Sequence, residues 1–390
     1  MYKILTIIFC LNYVSSFGQV NTEHYRFSRD ILDQIDRDTT IFKYQMGATE
    51  LSFSGYYEKV LKAWDRMGIR DFKTTKDDST YFVSSKKINA KDYIIEQSEK
   101  TQIIIINEAH HISKHRTFTK SLLNDLYNNG YRYIGLEALF DTVINVRKFP
   151  VIESGYYIKE PEFGNLLSEA LKIGYTIFGY EASMDKRGKD REIEQAANIQ
   201  KFIDNNPEAK VIIHCGYDHV YENDYPAWGK AMAGRLKDIT KIDPLTIDQK
   251  MFIESSDDKN NHLFIKMNDS KEPIVLLDNN ELVFNGFGNV RQTDIVVLHP
   301  PTKYINNRPD WLLSGKEIYR IPSHVIKNGM SVLVLAYREN EFEQNGVPAD
   351  IIEITDNNSV NELYLEKGVY TIVIKDNDYN IIEKYNHEIN

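Results

Sequence analysis

Residues 103–115 read IIIINEAHHISKH, an apolar run that ends in Asn107 and Glu108 and is followed within a few positions by His110, His111 and His115. A carboxylate beside imidazoles can do two kinds of chemistry. A histidine oriented by a glutamate can take a proton from water, while histidines and glutamates together can bind Zn²⁺ or Mn²⁺, lowering the pKa of a bound water. The local spacing does not decide between them. His111 and His115 share a face if a helix begins near Ala109, but the zinc-protease pattern needs a glutamate after the first histidine, where this chain has Ile112. His115 is expected as a solvent-facing helix residue, and His110 as a structural hydrogen-bonding group behind the site.

The elements that would position these groups alternate. Strands read at 103–107, 131–137, 175–181 and 210–216. Helices read at 118–130, closed by Gly130, at 162–174 and at 190–206. Apolar runs without alternation imply a mainly parallel sheet flanked by helices. In such a sheet, functional residues gather at the carboxyl ends of the strands. Here those ends carry Glu108, Glu137 and Glu181, and then His214 followed by His219. A glutamate ending one strand is commonplace; the coincidence over four strands points to a site. Arg116 and Arg191 are candidates to hold its carboxylates or an anionic substrate group in bidentate geometry, although a surface ion pair is the usual fate of either alone.

Other chemistry is excluded or weak. HCGYDH (214–219) lacks the phosphatase arginine, with Tyr221 in its place, and Cys215 at the end of a buried strand reads as an inert thiol. No phosphate-binding loop, dinucleotide fingerprint or nucleophile elbow is present. A net charge of −10 argues against nucleic acid as a partner; the partner expected is a small-molecule or peptide substrate.

NEAHHISKHRTFTKSLLNDLYNNGYRYIGLE (107–137), with REIEQAANI (191–199) and VIIHCGYDHV (211–220), resembles the erythromycin esterase/ChaN-like superfamily, which includes the Tiki and TraB proteases. The resemblance covers roughly residues 101–250. It implies that Glu108 and His111, or His110 given variable spacing, form a first-half pair, with Glu137 and His219 from later strands. His110, Arg116, Glu181, Arg191 and His214 then support them. The esterase branch implies a histidine base acting on an ester. The Tiki branch implies a divalent metal, with Glu108, His111 and His219 as candidate ligands, and the ChaN branch a haem-binding surface. A non-catalytic scaffold with an adhesive β-domain is the remaining alternative. The chain departs from the pattern at Asn107, where the family has glycine; asparagine is the next most tolerant of left-handed backbone.

The rest of the 390 residues frames this unit. Residues 1–18 read as an export signal, with Lys3, an apolar stretch from Ile4 to Val14 and a cut after Gly18, so an exported, periplasmic or extracellular chain is expected. The apolar stretch is shorter than the ~20 residues of a spanning helix, so no membrane span is expected in the mature chain. Beyond the signal only Cys215 remains, which precludes an intramolecular disulfide. With 42% hydrophobic and 12% aromatic residues the chain can bury its own core. The expected division is a helical region at 19–100, the α/β domain at 101–318 and a small all-β, sandwich-like domain at 319–390. Residues 140–161 are too long for an ordinary connection and read as a lid or substrate loop.

Overall fold

The four isoleucines 103–106 are fully buried, and they divide by parity. Ile104 and Ile106 enter one hydrophobic core, with Ile212, Leu122 and Leu167, while Ile103 and Ile105 enter another, with Ile213, Ile199 and Leu236. Successive side chains leave a strand on opposite faces, so a continuous apolar run requires both faces to be covered. Helices Ser113–Asn128, Pro161–Ile173 and Ala90–Ser98 supply one layer, and Gly188–Asn205 with Met232–Thr240 the other. The computed structural model describes residues 23–68, 75–288, 290–325, 331–355 and 361–390; the expected export signal at 1–18 lies outside them.

The central sheet has six parallel strands in the order Ile295–Val296, Leu245–Asp248, Ile103–Glu108, Lys210–Gly216, Tyr131–Leu136 and Thr176–Gly179. Strand Lys210–Gly216 is therefore inserted between the two strands that carry Glu108 and Glu137. Glu108 pairs in register with Gly216, and Leu136 with His214. This insertion brings the last turns of three strands to one point on the rim.

The flanking regions depart from the expected pattern in two places. The helical N-terminal run is broken by strand Lys86–Asn89, which pairs antiparallel with Ile274–Leu277. The chain reverses after Ile274–Leu277, with Leu277 bridged to Val283. Helix Ser113–Asn128 starts later than Ala109, so His111 lies outside it and shares no helical face with His115.

The C-terminal region forms a four-stranded antiparallel sheet in the order Asp350–Ile354, Val332–Arg338, Gly368–Lys375 and Ile381–Ile389. The strand pair Glu317–Arg320 and Glu362–Leu365 closes one face over a core that includes Val334, Ile372 and Leu363. Its other face packs on Tyr25 and Phe27 from the start of the described chain and on Ile152. The sheet is tied to the α/β unit through Asn165, whose Nδ2 donates to the Ala349 carbonyl at 3.0 Å and whose Oδ1 accepts from Arg338 at 2.6 Å. Among the described residues no helix is long and apolar enough to cross a membrane.

Candidate active site

Glu108, at the end of the central strand, is buried and fully engaged. Arg116, one turn into the following helix, donates Nε to Glu108 Oε2 at 2.6 Å and Nη2 to Oε1 at 2.5 Å, a bidentate pair. Arg116 is 0% exposed, not the surface ion pair that its type alone predicts. Its Nη1 donates to Glu160 Oε2 at 3.0 Å, placing the guanidinium between two buried carboxylates. Burial alone would raise the Glu108 carboxyl, but Arg116, followed by His110 and His214, holds it well below the usual range.

An ionised Glu108 can only accept, which fixes the tautomer of its next partner. His110 Nδ1 lies 2.9 Å from Glu108 Oε1, so Nδ1 carries the hydrogen and Nε2 of the neutral ring carries a lone pair. The ring is clamped by Tyr157 at a centroid distance of 3.6 Å and meets Tyr217 edge-on at 5.0 Å. Its Nε2 edge faces Gly216. A Cβ there would stand 2.4 Å from Nε2 and 3.1 Å from Glu137 Oε2, so only glycine admits this approach.

Glu137, from the next strand but one, completes the rim. It accepts from the Gly216 amide at 2.5 Å and from Arg191 Nη2 at 2.6 Å. Burial pushes its carboxyl up, but His219, Arg191 and His110 pull it down to about 2. Arg191 also donates to Glu181 through Nε at 2.9 Å and Nη2 at 2.7 Å. Its Nη1 sits 2.9 Å from His219 Nε2, and His219 Nδ1 sits 2.8 Å from Glu192 Oε2. An arginine can only donate, so Nε2 accepts and Nδ1 carries the hydrogen. Burial lowers the His219 pKa, whereas Glu137 and Glu192 raise it, with a net rise. Protonation of Nε2 would turn the Arg191 contact repulsive and direct the proton to Glu137 Oε1, 3.5 Å away.

Two imidazoles, each oriented at Nδ1 by a glutamate, thus flank Glu137. The backbone after both site strands is held at positive φ without glycine, at Ala138 (54°) and Tyr217 (44°), a conformation that clusters at functional sites. The 140–161 segment begins three residues after Glu137 and returns to lay Tyr157 over His110.

The sequence-predicted residues separate into those gathered here and those elsewhere. Glu108, His110 and Arg116 form one bonded cluster and Glu137, Glu181, Arg191 and His219 a second, and the two meet at Gly216. His214 borders it, buried, with Nε2 3.6 Å from Glu108 Oε2 and burial lowering its pKa to about 4. His111 does not pair with Glu108. Its ring stacks on Trp64 at 3.5 Å, and its Nδ1 lies 3.3 Å from the Tyr217 hydroxyl. His115 is not solvent-facing; it is buried, accepts from the Ala109 amide at 3.1 Å and stacks on His299. Asn107 makes no left-handed turn. It lies within the strand, and its side chain ties later loops together, donating to Tyr217 O at 2.8 Å and Asp248 Oδ1 at 2.9 Å and accepting from the Gln249 amide at 2.7 Å. Glycine could not do this. Sequence reading missed Glu160, the N-cap of helix Pro161–Ile173, Glu192, adjacent to Arg191, and Tyr157.

The donor set does not fit a metal. Glu108 has both oxygens on Arg116, His219 Nε2 faces the Arg191 cation, and His111 points elsewhere. Among the described residues no group of three or more His, Cys, Asp or Glu is arranged to hold a metal ion. Haem ligation fits poorly as well. The Tyr157 phenol is pushed up to about 12 by burial and by Glu137 and Glu108, and His110 is covered by that ring.

No family model and no curated protein matches the chain. Among solved structures similar to it is haem-bound ChaN of Campylobacter jejuni, at 12% identity and TM-score 0.33, covering 57% of this chain and 96% of that one. The type III effector HopBA1 aligns at 12% identity and TM-score 0.30, over 46% of this chain and 94% of that one. The RRSP effector domain of a Vibrio vulnificus toxin aligns at 15% identity and TM-score 0.30, over 60% of this chain and 51% of that one. These likenesses assign neither a family nor an activity.

Proposed function

We propose that the chain is a hydrolase that activates water with His110 and acts on an ester or amide carbonyl. The observation that carries this reading is the Arg116–Glu108–His110 relay. A carboxylate held ionised by a buried arginine fixes the hydrogen on Nδ1 and leaves Nε2 as a proton acceptor at the rim.

Nε2 takes a proton from water as the water oxygen bonds to the carbonyl carbon and the carbonyl π pair moves onto oxygen. Glu108 stabilises the imidazolium that forms, and Arg191 supplies positive charge for the developing oxyanion. As the tetrahedral centre collapses, the bond to the leaving alkoxide or amine breaks. Its proton comes from the imidazolium, regenerating neutral His110. Glu137 orients Arg191 and the Gly216 amide, and Glu192 orients His219 beside them. The buried Cys215, its thiol pushed up by burial, is not suited to be a nucleophile.

The test is turnover of a panel of aryl esters and fluorogenic peptides by the purified chain. Hydrolysis of either class that disappears in His110→Ala supports the proposal, and activity unchanged by that substitution refutes it. We also propose, from the signal-like residues 1–18, that the site works after export; retention of the full-length chain in the cytosol on fractionation would refute this.

A further inference from the structure

A second cavity lies at the edge of the parallel sheet, beside strand Ile295–Val296. Leu245 lies toward the amino-terminal end of the sheet, in register with Ile104, and Ile295 stands on the edge strand, in register with Ile247. Both line a cavity of about 770 Å³, a volume typical of small-ligand sites.

Its walls combine two kinds of group. One is a set of aromatic rings: Tyr81 against Phe284 at 5.6 Å and Phe284 against Phe287 at 5.1 Å and 70°, with Tyr93 beside them. Phe287 keeps 44% of its surface exposed, so the box has an open side. The other is a set of carboxylates, those of Asp77, Asp78, Asp278 and Asp294. Asp78 accepts from Thr75, Asp278 from the Asn280 and Leu282 amides, and Asp294 from Thr246, all neutral donors; Arg291 is the one cation among the lining residues, against four carboxylates. The field of these groups is felt at the rings. Tyr81 is raised by burial and then by Asp278, and Tyr93 by burial with Glu96 and Asp294 contributing.

Ring faces carry negative quadrupole potential and attract cations, most strongly where water is partly excluded. The excess of carboxylates over the single arginine adds to that attraction, while the apolar edges favour a methylated body over a hydrated metal ion. We propose that this cavity binds an organic ammonium ion, independently of the hydrolytic reading of the site around His110.

The test is calorimetric titration of the full chain with choline and with its neutral isostere, 3,3-dimethylbutan-1-ol. The expected result is choline binding at least ~10-fold tighter than the isostere, weakened by salt, and lost by ~5-fold or more in Phe287→Ala. Asp278→Asn keeps an acceptor for the turn and is expected to weaken choline but not the alcohol. Equal affinity for the two probes would show only an apolar pocket and overturn the proposal. So would no choline binding in the millimolar range, or choline binding untouched by Phe287→Ala in a protein whose melting is unchanged.

Discussion

His110 and Glu108 are two residues apart in sequence and joined by a 2.9 Å contact from Nδ1 to Oε1, with Arg116 gripping the same carboxylate from behind. The hydrolytic reading depends on that pair, because it converts an ordinary imidazole into a ring of fixed tautomer and orientation.

Glu160 should act on this pair at one remove. Replacing it with glutamine leaves Arg116 with one ionised partner and weakens its hold on Glu108. The expected effect is about a tenfold loss of kcat with KM little changed, through a weakened charge-assisted bond. A loss confined to thermal stability, with kcat unmoved, would make Glu160 purely structural.

Gly216→Ala tests the close approach. Its Cβ would fall 2.2 Å from His110 Cε1, so the ring must swing away from Glu137. Overpacking of this kind costs about 1–3 kcal/mol, and activity should fall far more than stability. Near-normal turnover in the variant would contradict the geometry.

The Glu137 carboxyl, depressed to about 2 from an ordinary 4.5, makes a definite pH prediction. A depressed carboxylate contributes stability that is present above its unfolded pKa and is lost as pH falls through the folded one. Chemical denaturation should show wild type more stable than Glu137→Gln at pH 5 and above, with the difference shrinking steadily toward pH 2. A difference that stays constant over that window would rule out an ionised, paired Glu137.

His111→Ala separates the two adjacent histidines. It removes the stack on Trp64, worth about 0.5–1.5 kcal/mol, and should leave turnover within a few-fold of wild type.

The strands and helices of the α/β unit were legible in sequence because their periodicity is strong: the four isoleucines, Gly130 and Gly174 closing helices, and carboxylates at successive strand ends. The placing of Glu108, Glu137, Glu181 and His219 at one rim also followed from strand-end logic. What could not be read is orientation within the turn. His110 and His111 are chemically identical neighbours. The choice between them is made by tertiary partners, Tyr157 stacking one ring and Trp64 the other. Strand Leu245–Asp248 escaped notice because four residues carry no usable period. Asn107 was misread because its role lies in bonds to Tyr217, Asp248 and Gln249, more than 100 positions away.

The most direct test of the account is the pH–rate profile of ester and peptide hydrolysis by wild type, His110→Ala and His111→Ala, measured with chelator present. The account predicts a loss of about 10²–10⁴-fold in His110→Ala together with removal of the acid limb, while His111→Ala keeps both rate and profile. Wild-type turnover in His110→Ala, or an equal collapse in His111→Ala, would contradict it.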